Sequence, residues 1–82
     1  MARIDFREIQ VECYSGSRAN ERPMAFLYQG KRFEIQEIVD RWYEGSTDTG
    51  KPVADYFKVR TADGTIYLLR YLAMFDAWSI RI

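Results

Sequence analysis

The chain reads as an all-β domain, a small antiparallel β-barrel or roll of five to six short strands. Three observations predict this. Apolar and polar residues alternate with period two in at least four segments, turn signals recur every 8–12 residues, and strong helix formers are sparse. At 82 residues the chain makes one domain, spanning 1–82. A two-sheet sandwich would need more chain, so an SH3-like barrel is the closest expectation.

Each element has its own signature. Ile9-Gln10-Val11-Glu12-Cys13 alternates as a half-buried strand, whereas Ile4-Asp5-Phe6 alternates in the opposite parity. If both belong to one strand, a bulge or bend falls near Arg7-Glu8. Residues 15–23 are polar and marked by Gly16 and Pro23, the composition of a loop. Met24 to Tyr28 is a second strand. Gln29-Gly30 predicts a tight turn, because glycine supplies the positive φ that a two-residue hairpin needs.

The stretch that follows supports two readings. Ile35, Ile38, Val39, Trp42 and Tyr43 share a helical stripe, yet the segment is rich in β-branched and aromatic residues and lacks an N-cap. A long strand from Lys31 with one bulge near Gln36-Glu37 brings Phe33 and Ile35 into phase with Ile38, and is the preferred reading. Residues 44–52 form a nine-residue polar loop. Tyr56 to Arg60 is a strand with Phe57 and Val59 on one face. Ala62-Asp63-Gly64 is the best turn signal in the chain, and Thr65 to Tyr71 returns from it. Trp78, Ile80 and Ile82 alternate in a last strand.

Composition removes several chemistries. There is no histidine, so Ser-His-Asp and Cys-His nucleophiles and most catalytic zinc sites are excluded. The single cysteine, Cys13, cannot form an intramolecular disulfide and reads as a small core residue. No phosphate-cradling glycine motif occurs. The carboxylate pairs Glu34/Glu37 and Asp40/Glu44 alternate with basic residues along strands, which describes a solvated face better than an acid–base cleft. The chain is therefore expected to be no enzyme and to need no cofactor or metal. The charged start, Met1 to Asp5, predicts no signal peptide, and the longest apolar runs (five residues) fall far short of the ~20 that a membrane helix needs. A cytoplasmic setting without membrane contact is the expectation.

Binding is where the sequence is suggestive. Twelve basic residues balance twelve acidic ones, and the balance holds along the chain. This weakens a nucleic-acid reading, since such binding draws on phosphate neutralisation. Thirteen of the residues are aromatic. Phe26, Phe33, Phe57, Trp42 and Trp78 are expected to fill the core. If Phe57, Val59, Ile66 and Leu68 face inward, strand parity turns Tyr56, Tyr67 and Tyr71 outward beside Lys58 and Arg60. Such a face can be a set of cross-strand pairs, or a surface on which single-stranded nucleic acid stacks. Arginine outnumbers lysine nine to three, a bias of interfaces and of bidentate carboxylate pairs. Arg22, between Glu21 and Pro23, and Arg41, beside Trp42, stand out. The candidate binding residues are thus Arg22, Arg41, Tyr56, Lys58, Arg60 and Tyr67. A protein partner is the expected ligand, with single-stranded nucleic acid as the alternative. A homodimer is left open.

Several segments, in order, carry a resemblance: Glu21-Arg22-Pro23, Gly30-Lys31-Arg32, Ile38-Val39-Asp40-Arg41-Trp42, Tyr56 to Thr61, Gly64 to Leu68, and Trp78. Together they resemble an uncharacterised bacterial domain family of small free-standing proteins, also found as the C-terminal tail of polymerase-like proteins of the Y-family mutasome type. The similarity covers roughly residues 13–80. It implies a compact module attached to DNA-damage-tolerance machinery, and carries no catalytic residues with it.

Overall fold

The computed structural model describes residues 5–13, 22–45 and 53–81. Six strands follow one another: β1 (Phe6–Cys13), β2 (Pro23–Tyr28), β3 (Lys31–Glu44), β4 (Ala54–Thr61), β5 (Ile66–Leu72) and β6 (Ala77–Arg81). Each pairs antiparallel with the next, and β6 pairs with β1, so the sheet closes into a barrel. Among the described residues there is no helix. Most of the expected loops at 15–23 and 44–52, together with Ile4 and Ile82, lie outside the described residues.

The turns form where the sequence places them. Tyr28 pairs with Lys31 across Gln29 (φ 52°) and Gly30 (φ 77°), the two positive φ values of a type I′ hairpin. Between β4 and β5, Gly64 takes φ 89°. There the Asp63 carboxylate accepts hydrogen bonds from the Thr61 hydroxyl and, at 3.1 Å, from the Thr65 amide.

β3 is the long strand that joins the two halves of the barrel. Its first residues pair with β2, from Lys31 to Glu34, and the rest pair with β4. The change of partner coincides with two register shifts, between Ile35 and Glu37 and between Ile38 and Asp40. The expected bulge at Gln36-Glu37 is the first, and it does bring Phe33, Ile35 and Ile38 onto the inner side. The second shift overturns the expectation for Trp42. One extra residue at Val39 inverts the parity beyond it, so Arg41 rather than Trp42 pairs opposite the inward Phe57. Trp42 is 41% exposed on the outer face.

Phe26, Phe57, Val59, Leu69, Trp78 and Ile80 are buried, and Ile9, Val11, Cys13, Phe33, Ile35, Ile38, Tyr67 and Tyr71 pack against them. Each such large apolar side chain contributes about 1.5–3 kcal/mol by leaving water. Tyr67 and Tyr71 correct a second expectation. Val59 pairs with Tyr67 and Phe57 with Leu69, so β5 turns its odd-numbered residues inward and presents Ile66 and Leu68 outside. Because β5 is apolar on both faces, alternation alone cannot choose between them. Packing chooses the rings: Tyr67 meets Phe26 edge-on at 5.3 Å, and Tyr71 lies 4.9 Å from Trp78 with its hydroxyl donating to Asp76 at 2.7 Å.

β1 needs no bulge near Arg7. Its pairing with β6 runs unbroken from Phe6↔Arg81 to Ile9↔Trp78. The opposite parity of Phe6 means only that this ring belongs to the outer face. The register shift in β1 occurs instead at Glu12/Cys13.

Candidate functional site

Closure of the barrel carries one row of residues across five strands on its outer face. Trp42 on β3 pairs with Tyr56 on β4, Tyr56 with Arg70 on β5, Arg70 with Ser79 on β6, and Ser79 with Glu8 on β1. Directly opposed residues on one face lie about 4.5–5.5 Å apart, so their side chains must meet. Trp42 stacks on Tyr56, with centroids 5.4 Å apart and planes inclined by 9°. The Tyr56 hydroxyl donates to Glu44 at 3.2 Å, which anchors the far edge of the stack. The Arg70 guanidinium lies 3.9 Å from the centre of the Phe6 ring, and that ring lies 6.4 Å from Tyr56. Arg70 Nε is buried with no hydrogen-bond partner among the described residues.

The next row holds the cations and the aliphatic residues. Lys58 pairs with Leu68, and Phe6 with Arg81. Trp42, Lys58, Ile66, Tyr67, Leu68 and Arg81 line an open groove of about 490 Å³. Ile66 is 43% exposed there. Lys58 and Arg81 make no ion pair among the described residues. Asp40, the register partner of Lys58, instead accepts a hydrogen bond from the Arg41 amide at 2.8 Å.

The structure brings together only some of the residues the sequence singles out. Tyr56 and Lys58 share this face. Arg60 shares it too, but its guanidinium is taken up by Glu37 on β3. Tyr67 turns its ring toward the core, yet it is only half-buried and is also one of the residues lining the groove beside Lys58. Arg41 lies on the other side of the sheet, 4.8 Å over the Phe57 ring and 4.0 Å from the Asp55 carboxylate. Arg22 is exposed beside Pro23 and lines a separate depression where β3 leaves β2. On that side Arg32 holds Glu12 at 2.7 Å, and the guanidinium lowers the Glu12 carboxyl below its ordinary range.

Sequence reasoning misses Trp42, Phe6, Ile66 and Arg81 as residues of the face. For Phe6 a signal existed, since its parity opposes that of Ile9. For Trp42 none did, because the second bulge has no marker such as glycine. Among the described residues no group of three metal-ligating side chains comes together. Comparison with known proteins adds no relative: no protein family matches the sequence, and neither a curated protein nor a solved structure matches it.

Proposed function

We propose that this protein is a non-catalytic protein-interaction module, and that it docks its partner on the outer face of β3, β4 and β5. One observation carries the reading: a single groove combines the exposed apolar side chains Trp42 and Ile66 and the half-buried Leu68 with Lys58 and Arg81, cations that make no ion pair among the described residues. Interfaces gain their energy from such aromatic and aliphatic anchors, with charge at the rim setting orientation. The SH3-like kinship is part of the proposal, supported by the bent β3 that serves both halves of a small closed barrel. So is a setting in DNA-damage tolerance, which rests on the motif resemblance alone.

Single-stranded nucleic acid suits the face less well. A stacking platform needs free aromatic faces, whereas Trp42 and Tyr56 stack on each other. On this face Glu37 takes up the Arg60 guanidinium and Glu44 the Tyr56 hydroxyl, which removes one phosphate contact and one polar edge from a stacking platform.

Random-peptide display on the wild-type chain and on a Trp42→Ala/Ile66→Ser double variant tests the proposal. Both side chains are more than half covered and Trp42 stacks on Tyr56, so the variant should melt below the wild type but still cooperatively, and display is run well below its midpoint. Peptides enriched on the wild type and lost on the variant are expected. Equal enrichment on both, or none on either, overturns the docking face. Anisotropy with a labelled mixed-sequence single strand at about 50 mM salt is the counter-test. Binding below about 100 µM that Lys58→Ala removes would transfer the face to nucleic acid.

A further inference from the structure

We infer that the groove takes an extended acidic–apolar polypeptide segment, its apolar side chain seated on Trp42, Ile66 and Leu68 and its carboxylates meeting Lys58 and Arg81. The inference rests on the interaction reading above and supplies the chemistry of the partner.

Charge complementarity carries it. Lys58 stands on β4 and Arg81 on β6, with β5 between them. Leu68 is the register partner of Lys58, and the pairing of Leu69 with Ile80 sets Leu68 beside Arg81 as well. Strands lie ~4.8 Å apart, so the two cations rise from backbones ~10 Å apart. An extended peptide advances ~3.3 Å per residue and alternates faces, so carboxylates four residues apart share a face with one apolar residue between them and span ~13 Å, within reach of the long Lys58 and Arg81 side chains.

Elsewhere on the face Arg60 is held by Glu37, while Asp40 and Glu44, which accept from the Arg41 amide and the Tyr56 hydroxyl and keep their charge, lie outside the groove lining. Among the residues lining the groove only Lys58 and Arg81 are charged, both with the same sign, and neither makes an ion pair among the described residues. A basic segment would meet them as like charges across an apolar floor, the arrangement by which interfaces reject wrong partners.

The probes are three fluorescein-labelled peptides: a Leu-Phe pair flanked by two acidic residues on each side, the same peptide with lysines for the acids, and the acidic peptide with alanines for Leu-Phe. At about 50 mM salt the acidic Leu-Phe peptide is expected to bind at least tenfold tighter than either control. Lys58→Glu and Arg81→Glu should each weaken it by roughly fivefold. The double charge reversal should prefer the lysine peptide. Equal binding of acidic and lysine peptides, or no response to the charge reversals, overturns the inference. Display on the same face that selects neutral or basic peptides would leave the interaction reading standing and remove this one. Failure of every peptide, in display and in solution, removes both. A single-stranded oligonucleotide that displaces the acidic peptide through Lys58 would reassign the groove.

Discussion

Arg70 on β5 holds its guanidinium 3.9 Å from the centre of the Phe6 ring on β1, reaching over the intervening strand β6. Two effects oppose each other at this contact. A cation over an aromatic face stabilises by about 0.5–2 kcal/mol, while a buried Nε that finds no partner among the described residues costs about 1–3 kcal/mol. The methylene stem adds apolar cover to Phe6 whatever the head group does. Arg70→Met keeps the stem and removes both polar effects, so its stability in urea should stay within about 1 kcal/mol of wild type. Arg70→Ala uncovers the ring and should cost about 1–2 kcal/mol. An Arg70→Met variant as unstable as Arg70→Ala would show that the charge, not the stem, stabilises the contact.

The two tryptophans should report opposite environments. Trp78 is 5% exposed between Phe57 and Tyr71, whereas Trp42 stands on the outer face. A Trp42→Phe variant should retain blue-shifted emission that acrylamide quenches poorly. Trp78→Phe, which also removes a buried indole N–H that has no partner among the described residues, should leave red-shifted, readily quenched emission. Trp78→Ala opens a cavity and should cost about 3–5 kcal/mol. Against a total of about 4–12 kcal/mol for a domain of this size, that variant is close to unfolding. Wild-type melting of Trp78→Ala would contradict the position of β6 in the core.

The turn between β4 and β5 should tie stability to acid. The Thr61 hydroxyl, and then the Thr65 amide, donate to the Asp63 carboxylate and hold its pKa below the ordinary value of 3.8. A carboxyl lowered in the folded state adds stability that is fully present above 3.8 and is lost as the pH falls through the folded value. Urea midpoints measured from about pH 5 to about pH 2 should therefore fall more steeply for wild type than for Asp63→Asn. Glu12, lowered by its bond to Arg32, adds to the slope in the same direction, so Glu12→Gln should flatten it further. Parallel slopes for wild type and Asp63→Asn would refute the assignment.

Gly64 tests the same turn through the backbone. Its φ of 89° is unfavourable for any residue with a Cβ, yet a Cβ there would meet nothing within 4 Å. Gly64→Ala should thus cost only the backbone penalty, about 1–2 kcal/mol by equilibrium melting. A larger loss would mean that the turn also packs.

The class of fold and its punctuation are already written in the order of residues along the chain. Period-two alternation around Phe57 and Val59, the Gln29-Gly30 and Asp63-Gly64 turns, and the first bulge in β3 are local consequences of side-chain pattern and glycine conformational freedom, so they are legible one segment at a time. The tertiary structure decided which face each ring occupies. Parity on an isolated strand is relative: β5 is apolar on both sides, and only its register against Val59 and Phe57 turns Tyr67 inward and Leu68 outward. A second bulge at Val39, unmarked by any turn residue, moves Trp42 from the expected core to the outer stack on Tyr56. The candidate site follows from those two choices and from closure of β6 onto β1, which brings Phe6 and Arg81 to one face with Lys58 and Leu68. Register and closure are cooperative properties of all six strands, settled by which arrangement buries the most apolar surface without stranding charge, and no single segment contains that information.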